Sequence, residues 1–355
     1  MRTRYVLSID GGGVRGIVAA AMIDALEGEL RKAGLKGSLS DCFDVIVGTS
    51  TGSIIAAGLA MSNKAGTGPL RTPGELRDLY RKEAINIFPP RVAPFIPLIR
   101  SLRQFFGPLY SPKPMKRILD EFFGDADFIS PKRNLMINAY SLEPRDAAFF
   151  RGGPLTPPGD PLCSGSVRIA DAILGSAAAP TFFPPHQITN PRTGHKQTVI
   201  DGGIFVNDPA VSGFSEALRL YPEDDIRVIS FGTGRIVQPI PFRNSRNWGF
   251  LEWINPVGPF RTPLLSAIQD GQARAVNFQM KKLIGGRYQR FDYDLTRGYG
   301  TPSLDDSRTS NMKELERGAL KMVEEMRPRL REVATQLIAD QERNAREKQK
   351  TPVPI

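Results

Sequence analysis

Two histidines and two cysteines are all that this 355-residue sequence holds of either type. Cys42 and Cys163 lie far apart and form no CxxC pair, so neither a zinc site nor a disulfide scaffold is indicated. Cys42 stands beside an apolar strand pattern and reads as a small buried packing residue. Such sparing use of cysteine fits a reducing compartment. No uninterrupted apolar run reaches the ~20 residues needed to cross a bilayer. No apolar h-region follows Arg2 and Arg4, so a secretory signal is not expected. Internal repeats, zinc fingers and RNP patterns are missing too, and no nucleic-acid partner is expected. With His186 and His195 alone available, and no EF-hand pattern of carboxylates, nothing calls for a metal or another cofactor.

What the chain does have is length, positive charge and alternation. At 355 residues it can bury a full core without staples. A formal net charge of +10 favours anionic partners such as phospholipid surfaces or phosphorylated ligands. Strand-like runs at Tyr5–Ile9, Phe43–Val47, Leu135–Tyr140, Thr198–Ile200 and Arg227–Phe231 alternate with helical patterns at Gly16–Ala33 and Ser53–Met61. This predicts an α/β fold, a largely parallel central sheet flanked by helices. The reactive groups of such sheets collect at the carboxyl ends of strands. Asp10, Ser50 and Asp201 each fall just past a strand, which predicts one shared edge.

Other stretches support two readings each. Ile85–Pro114 carries seven prolines, which exclude a long regular helix. It reads either as a cap over the site that touches lipid or as an irregular packed connection. Trp248–Trp253 divides the same way, with both tryptophans in the core on the second reading. From Met312 to about Arg346 the pattern is helical, with Pro328 as a break or kink and Asp340–Lys350 as a solvated charged tail. The expected division is 4–300 for the main domain and 301–355 for a carboxyl-terminal helical extension.

The chemistry concentrates in three glycine-rich motifs. Gly48-Thr49-Ser50-Thr51-Gly52 joins a strand to a helix, the geometry that presents a serine hydroxyl as a nucleophile. Asp10-Gly11-Gly12-Gly13-Val14-Arg15-Gly16 also joins a strand to a helix, so its amides form an anion-accepting concavity. Gly11–Gly16 additionally matches G-x-G-x-x-G, which makes a dinucleotide-binding loop the alternative. That fingerprint wants an acidic residue after the second strand, where this chain has Gly48 and the serine elbow. The third motif is Asp201-Gly202-Gly203. A serine hydroxyl is a poor nucleophile until a neighbour takes its proton. No histidine follows Asp201, so the order Ser–acid–His cannot use it as the acid. A triad of Ser50, Asp171 and His186 stays formally open, but the economical arrangement pairs Ser50 with Asp201 directly. Arg15 steadies the first loop, attracts a phosphate or is a surface residue at a helix start, and Asp10 ties the loop down.

In this order the three motifs resemble those of the patatin-like phospholipases and acyl hydrolases. Ser176–Pro180 with Phe183–Pro185, Asn207–Pro209 and Ser230–Gly234 extend the resemblance to roughly Arg4–Leu295. It implies a patatin-like fold and hydrolysis of lipid acyl esters through a Ser50–Asp201 dyad and an acyl-enzyme. It implies an oxyanion hole from the amides of Gly11, Gly12, Gly13 and Thr51, supported by Gly16, Gly48, Gly52, Gly202 and Gly203. Phospholipid becomes the expected substrate, with peripheral contact at the inner membrane surface from the cytoplasm. Some bacterial relatives are switched on by cyclic nucleotides, so a nucleotide activator is a further expectation, although no motif marks its site.

Overall fold

The computed structural model of the chain describes residues 2–89, 107–235, 239–254, 262–292, 294–295, 298–301 and 303–350. The core of the proline-rich segment, and with it the cap-or-connection question, lies outside them. Its ends are described: α3 (Pro73–Ile87) runs into it and α4 (Lys113–Phe123) leaves it. Thr72 and Glu75 cap α3 reciprocally with Pro73 at its first turn, which is why the helix starts there.

The centre is a mixed sheet. β1 (Thr3–Ile9), β2 (Val45–Thr49), β3 (Asn134–Ser141), β7 (Asp225–Phe231) and β8 (Tyr288–Phe291) run parallel in the order β3-β2-β1-β7-β8. β4 (Asp146–Gly152), β5 (His186–Thr189) and β6 (Lys196–Asp201) join antiparallel beyond β3. The parallel expectation therefore holds for the centre and gives way at this edge.

Side-chain alternation along each parallel strand splits the core into two layers. Leu7 and Ile9 of β1, Ile46 of β2 and Ile137 of β3 face a larger cluster under α1 (Gly16–Lys32) and α2 (Thr51–Ala60). Val6, Val45, Val47 and Met136 face a smaller one under α6 (Ala210–Leu220) and α7 (Pro263–Ile284). α5 (Ile169–Ser176) packs in the larger layer.

α8 (Thr309–Lys350) lies along α1 and continues as helix through Pro328. The expected solvated tail Asp340–Lys350 is the last part of this helix and is tied down at its beginning: Asp340 is buried and accepts from Tyr5 Oη at 2.7 Å, and Asn344 bonds the backbone of Thr3. The tryptophans are not core either. Trp253 is exposed and meets the half-buried Trp248 edge-on at 5.1 Å.

Candidate active site

Register explains why Ser50 and Asp201 meet. β4 occupies one edge of β3 over Leu135–Ser141. β2 occupies the other over Asn134–Asn138 and stops there, because the chain turns at Ser50 into α2. β6 takes the vacated edge immediately beyond, pairing Ala139 with Asp201. Asp201 thus arrives one β3 residue past the point where Ser50 leaves the sheet. The Ser50 Oγ donates to Asp201 Oδ2 at 2.7 Å.

Ser50 holds φ 53 and ψ −125, an unfavourable conformation for a residue with a side chain. Its surroundings fix it there. The Ser50 N–H donates to Ser176 Oγ at 2.8 Å, and Ser176 passes its own proton to the Asn138 carbonyl at 2.6 Å. Strand and helix crowd so closely that a Cβ on Gly52 would overlap the carbonyls of Ile9 and Asp10, and one on Gly48 that of Gly52. Both positions therefore require glycine.

Asp201 is buried, and desolvation pushes its carboxyl up to about 7 against the opposing pull of the Gly203 N–H and the Ser50 hydroxyl. The Gly203 amide donates to Oδ1 at 2.7 Å, so one oxygen is anchored and the other faces Ser50. The histidines sit elsewhere. His186 Nε2 lies 3.2 Å from Asp171, and His195 is exposed at a loop tip.

The first glycine loop stands opposite. The Gly11 amide is committed to the Asn207 carbonyl at 3.1 Å. Gly12, Gly13 and Thr51 line the cleft with Ser50. Asp10 lies beneath the loop, held by both terminal nitrogens of Arg290 at 2.8 and 2.5 Å. Arg290 also bonds Asp208, Ser230 and Asp292. Burial alone would lower its pKa, but the charges of Asp10, Asp208 and Asp292 offset this and push it well above its ordinary value. Arg15 is buried, not a surface residue: its Nε donates to the Gly12 carbonyl and its Nη1 to Gly234, clamping the loop.

Sequence reasoning missed Arg290, Ser176 and Asn138. Ser176 lay inside a stretch singled out for resemblance, but its bond to the nucleophile's backbone needed the fold. Nothing local marks Arg290, which sits on a four-residue strand.

The cleft over Ser50 has apolar walls: Ile54 from α2, Leu79 and Ile87 from α3, Met115, Ile118, Leu119 and Phe122 from α4, with Phe88, Phe182 and Phe183. Its polar groups gather near Ser50 and Asp201, with Glu83 and Gln269 also at the wall. Burial of an alkyl chain against such walls releases ~0.8 kcal/mol per CH₂, so the cleft favours a long acyl group over a polar one. Among the described residues no cluster of His, Cys, Asp and Glu could hold a metal ion.

Fold and cleft together define an α/β protein with a hydrogen-bonded serine and aspartate in an apolar cleft at the carboxyl edge of its parallel strands. Residues 7–213, more than half of the chain, match the family of patatin-like phospholipases, and the chain belongs to that family; by class it is a lipid acyl hydrolase. It is similar to Patatin-like protein 2 of Arabidopsis thaliana, 29% identical over 81% of this chain and 74% of the relative. It is also similar to Patatin-like protein 2 of Oryza sativa subsp. indica, 30% identical over 87% and 81% of the two chains. A cGAMP-activated phospholipase of Vibrio cholerae is 32% identical over 64% of this chain and 63% of its own.

Proposed function

We propose that the protein releases fatty acids from phospholipids, with Ser50 as nucleophile and Asp201 as its base. The observation that carries this is the 2.7 Å bond from Ser50 Oγ to a buried carboxylate at the floor of an apolar cleft. Ser50 Oγ attacks the ester carbonyl carbon while its proton passes to Asp201 Oδ2. The carbonyl oxygen becomes an oxyanion facing the amides of Gly12, Gly13 and Thr51; one well-aimed donor is worth ~3 kcal/mol in such a site. Collapse breaks the bond to the alcohol, which leaves with the proton held by Asp201. Water then attacks the acyl-enzyme, Asp201 takes its proton, and the fatty acid departs as Ser50 regains its hydrogen. The α2 amino terminus adds a favourable field at the oxyanion.

The test is fatty-acid release from phospholipid vesicles. Ser50→Ala and Asp201→Asn should each fall by ~10⁴-fold or more, as removal of a nucleophile or its base does elsewhere. The double variant His186→Gln/His195→Gln should keep its activity, since neither histidine lines the cleft. Undiminished activity in Ser50→Ala would sink the proposal. The Vibrio relative is named for activation by cGAMP. Running the same assay with and without that cyclic dinucleotide tests whether this chain shares the control.

A further inference from the structure

α7 is inverted. A surface helix ordinarily turns its apolar face inward and its polar face to water. The inward side of the first half of α7 carries Ser266, Gln269, Asp270 and Gln272, and Gln272 bonds the Asn207 amide and the Ile204 carbonyl beside the Asp201 motif. Leu264, Ile268 and Phe278 point the other way, 46%, 37% and 64% exposed. At 100° per residue Leu264, Ile268, Ala275 and Phe278 fall on one outward face, with Gly271 between them and Lys282 at its end.

Two short helical turns precede α7 in the chain, and the second, Phe250–Ile254, packs against it. Phe242–Ser245 and Phe250–Ile254 bring Phe242, Phe250, Leu251 and Trp253 to the surface, with Phe242 at 80% and Phe250 at 74%. Single exposed apolar side chains are ordinary, but a cluster is not. Among the described residues, nine of the sixteen exposed large hydrophobic side chains lie between 240 and 283, including every exposed Phe and Trp of that set. Five exposed cations share the segment: Arg243, Arg246, Arg274, Lys281 and Lys282. Its described acids are Glu252 and Asp270, and Asp270 is half-buried.

We propose that this face, the outward side of α7 with the two turns before it, docks the protein on an anionic phospholipid bilayer. This rests on the acyl-hydrolase reading above and adds the surface that delivers the substrate. Gln269, next to Ile268, is part of the cleft wall, so a membrane on this face lies beside the route to Ser50. Aromatic rings that enter the headgroup boundary, rimmed by lysine and arginine, are the chemistry of an interfacial surface. A second copy of the chain is a poorer occupant. Two-fold pairing sets a patch against itself, which would bring five cations against five.

The experiment uses the full chain carrying Ser50→Ala, so that bound lipid is not consumed, and sediments it with vesicles. Phosphatidylcholine vesicles with phosphatidylglycerol should bind it, phosphatidylcholine alone should bind it weakly, and added salt should release it. Phe250→Ser/Phe278→Ser and, separately, Lys281→Glu/Lys282→Glu should each weaken binding by roughly tenfold or more. In the chain with Ser50 restored, both pairs should lose vesicle hydrolysis yet cleave the soluble ester p-nitrophenyl butyrate at the parent rate, which also shows that they fold. Parent-like binding by both pairs would overturn the proposal, as would a parent dimer, seen by sedimentation velocity, that the same substitutions dissociate. The readout is separate from the dyad: Ser50→Ala could retain hydrolysis, ending the catalytic reading, while vesicle binding still reported on this face.

Discussion

At the residue scale, Asp201 joins pH to both activity and stability. A base must be ionised, and burial pushes this carboxyl up to about 7. Cleavage of a soluble ester should therefore rise with pH through about 7 and level off above it. A profile already flat below that range would count against Asp201 as the base. The stability effect has the opposite sign. Between the ordinary carboxylate range and about 7 the folded chain binds a proton that the unfolded chain has released. The contribution is present in full below the unfolded pKa and is lost as pH rises through the folded one. Asp201→Asn keeps the hydrogen-bonding shape without the charge. It should be inactive yet more stable than the parent above neutrality, by on the order of a few kcal/mol, with the gap closing in acid. Denaturant midpoints at two pH values measure this.

At the element scale, the site depends on how β1, β2, β8 and α2 converge. Gly52→Ala places a methyl group against the Ile9 and Asp10 carbonyls, which cannot move without breaking β1. A loss of ~3 kcal/mol or more is expected from chemical denaturation, and near-parental stability would show that this crowding is not tight. Arg290→Met should be as severe, at ~3–5 kcal/mol, because it leaves Asp10 and Asp208 buried without their cation. Its deficit should shrink as the pH falls and those carboxylates take up protons; a deficit independent of pH would mean that the loss is one of packing. β8 was not legible in the sequence for the same reason. Arg290 turns to the buried carboxylates of Asp10 and Asp208, Gln289 meets Arg329 from the other face, and together they interrupt the apolar run that marks a buried strand. β4 and β5 alternate with exposed positions and blur in the same way. β1, β2 and β7 were legible because both faces are covered and the runs stay apolar.

At the scale of the whole molecule, α8 contributes Met312, Leu315, Met322, Val323, Leu330, Val333 and Leu337 to the larger core. Glu29 of α1 pairs with Arg327 and Arg331 across the same contact. Leaving those seven side chains in water would forfeit ~1.5–3 kcal/mol each, about 10–20 kcal/mol together and so comparable to the whole ~5–15 kcal/mol that usually holds a domain folded. A chain ending at Gly300 should thus be recovered unfolded or aggregated. Cooperative melting of that truncated chain would show 301–355 to be a dispensable extension. No described helix is long and apolar enough to cross a membrane.

The sequence by itself determined the three glycine motifs, the shortage of histidine and the alternation of strand and helix. Each is local: a turn that tolerates no Cβ, a residue type in short supply, a period of two against one of 3.6. The tertiary structure decided that β6 fills the edge of β3 that β2 vacates, that Arg290 reaches Asp10 across 280 positions, and that Leu264, Ile268 and Phe278 of α7 are left uncovered while Val276 and Met280 are buried. Those facts depend on strand register and on which surface is left uncovered, and no stretch of chain carries either until the sheet is assembled.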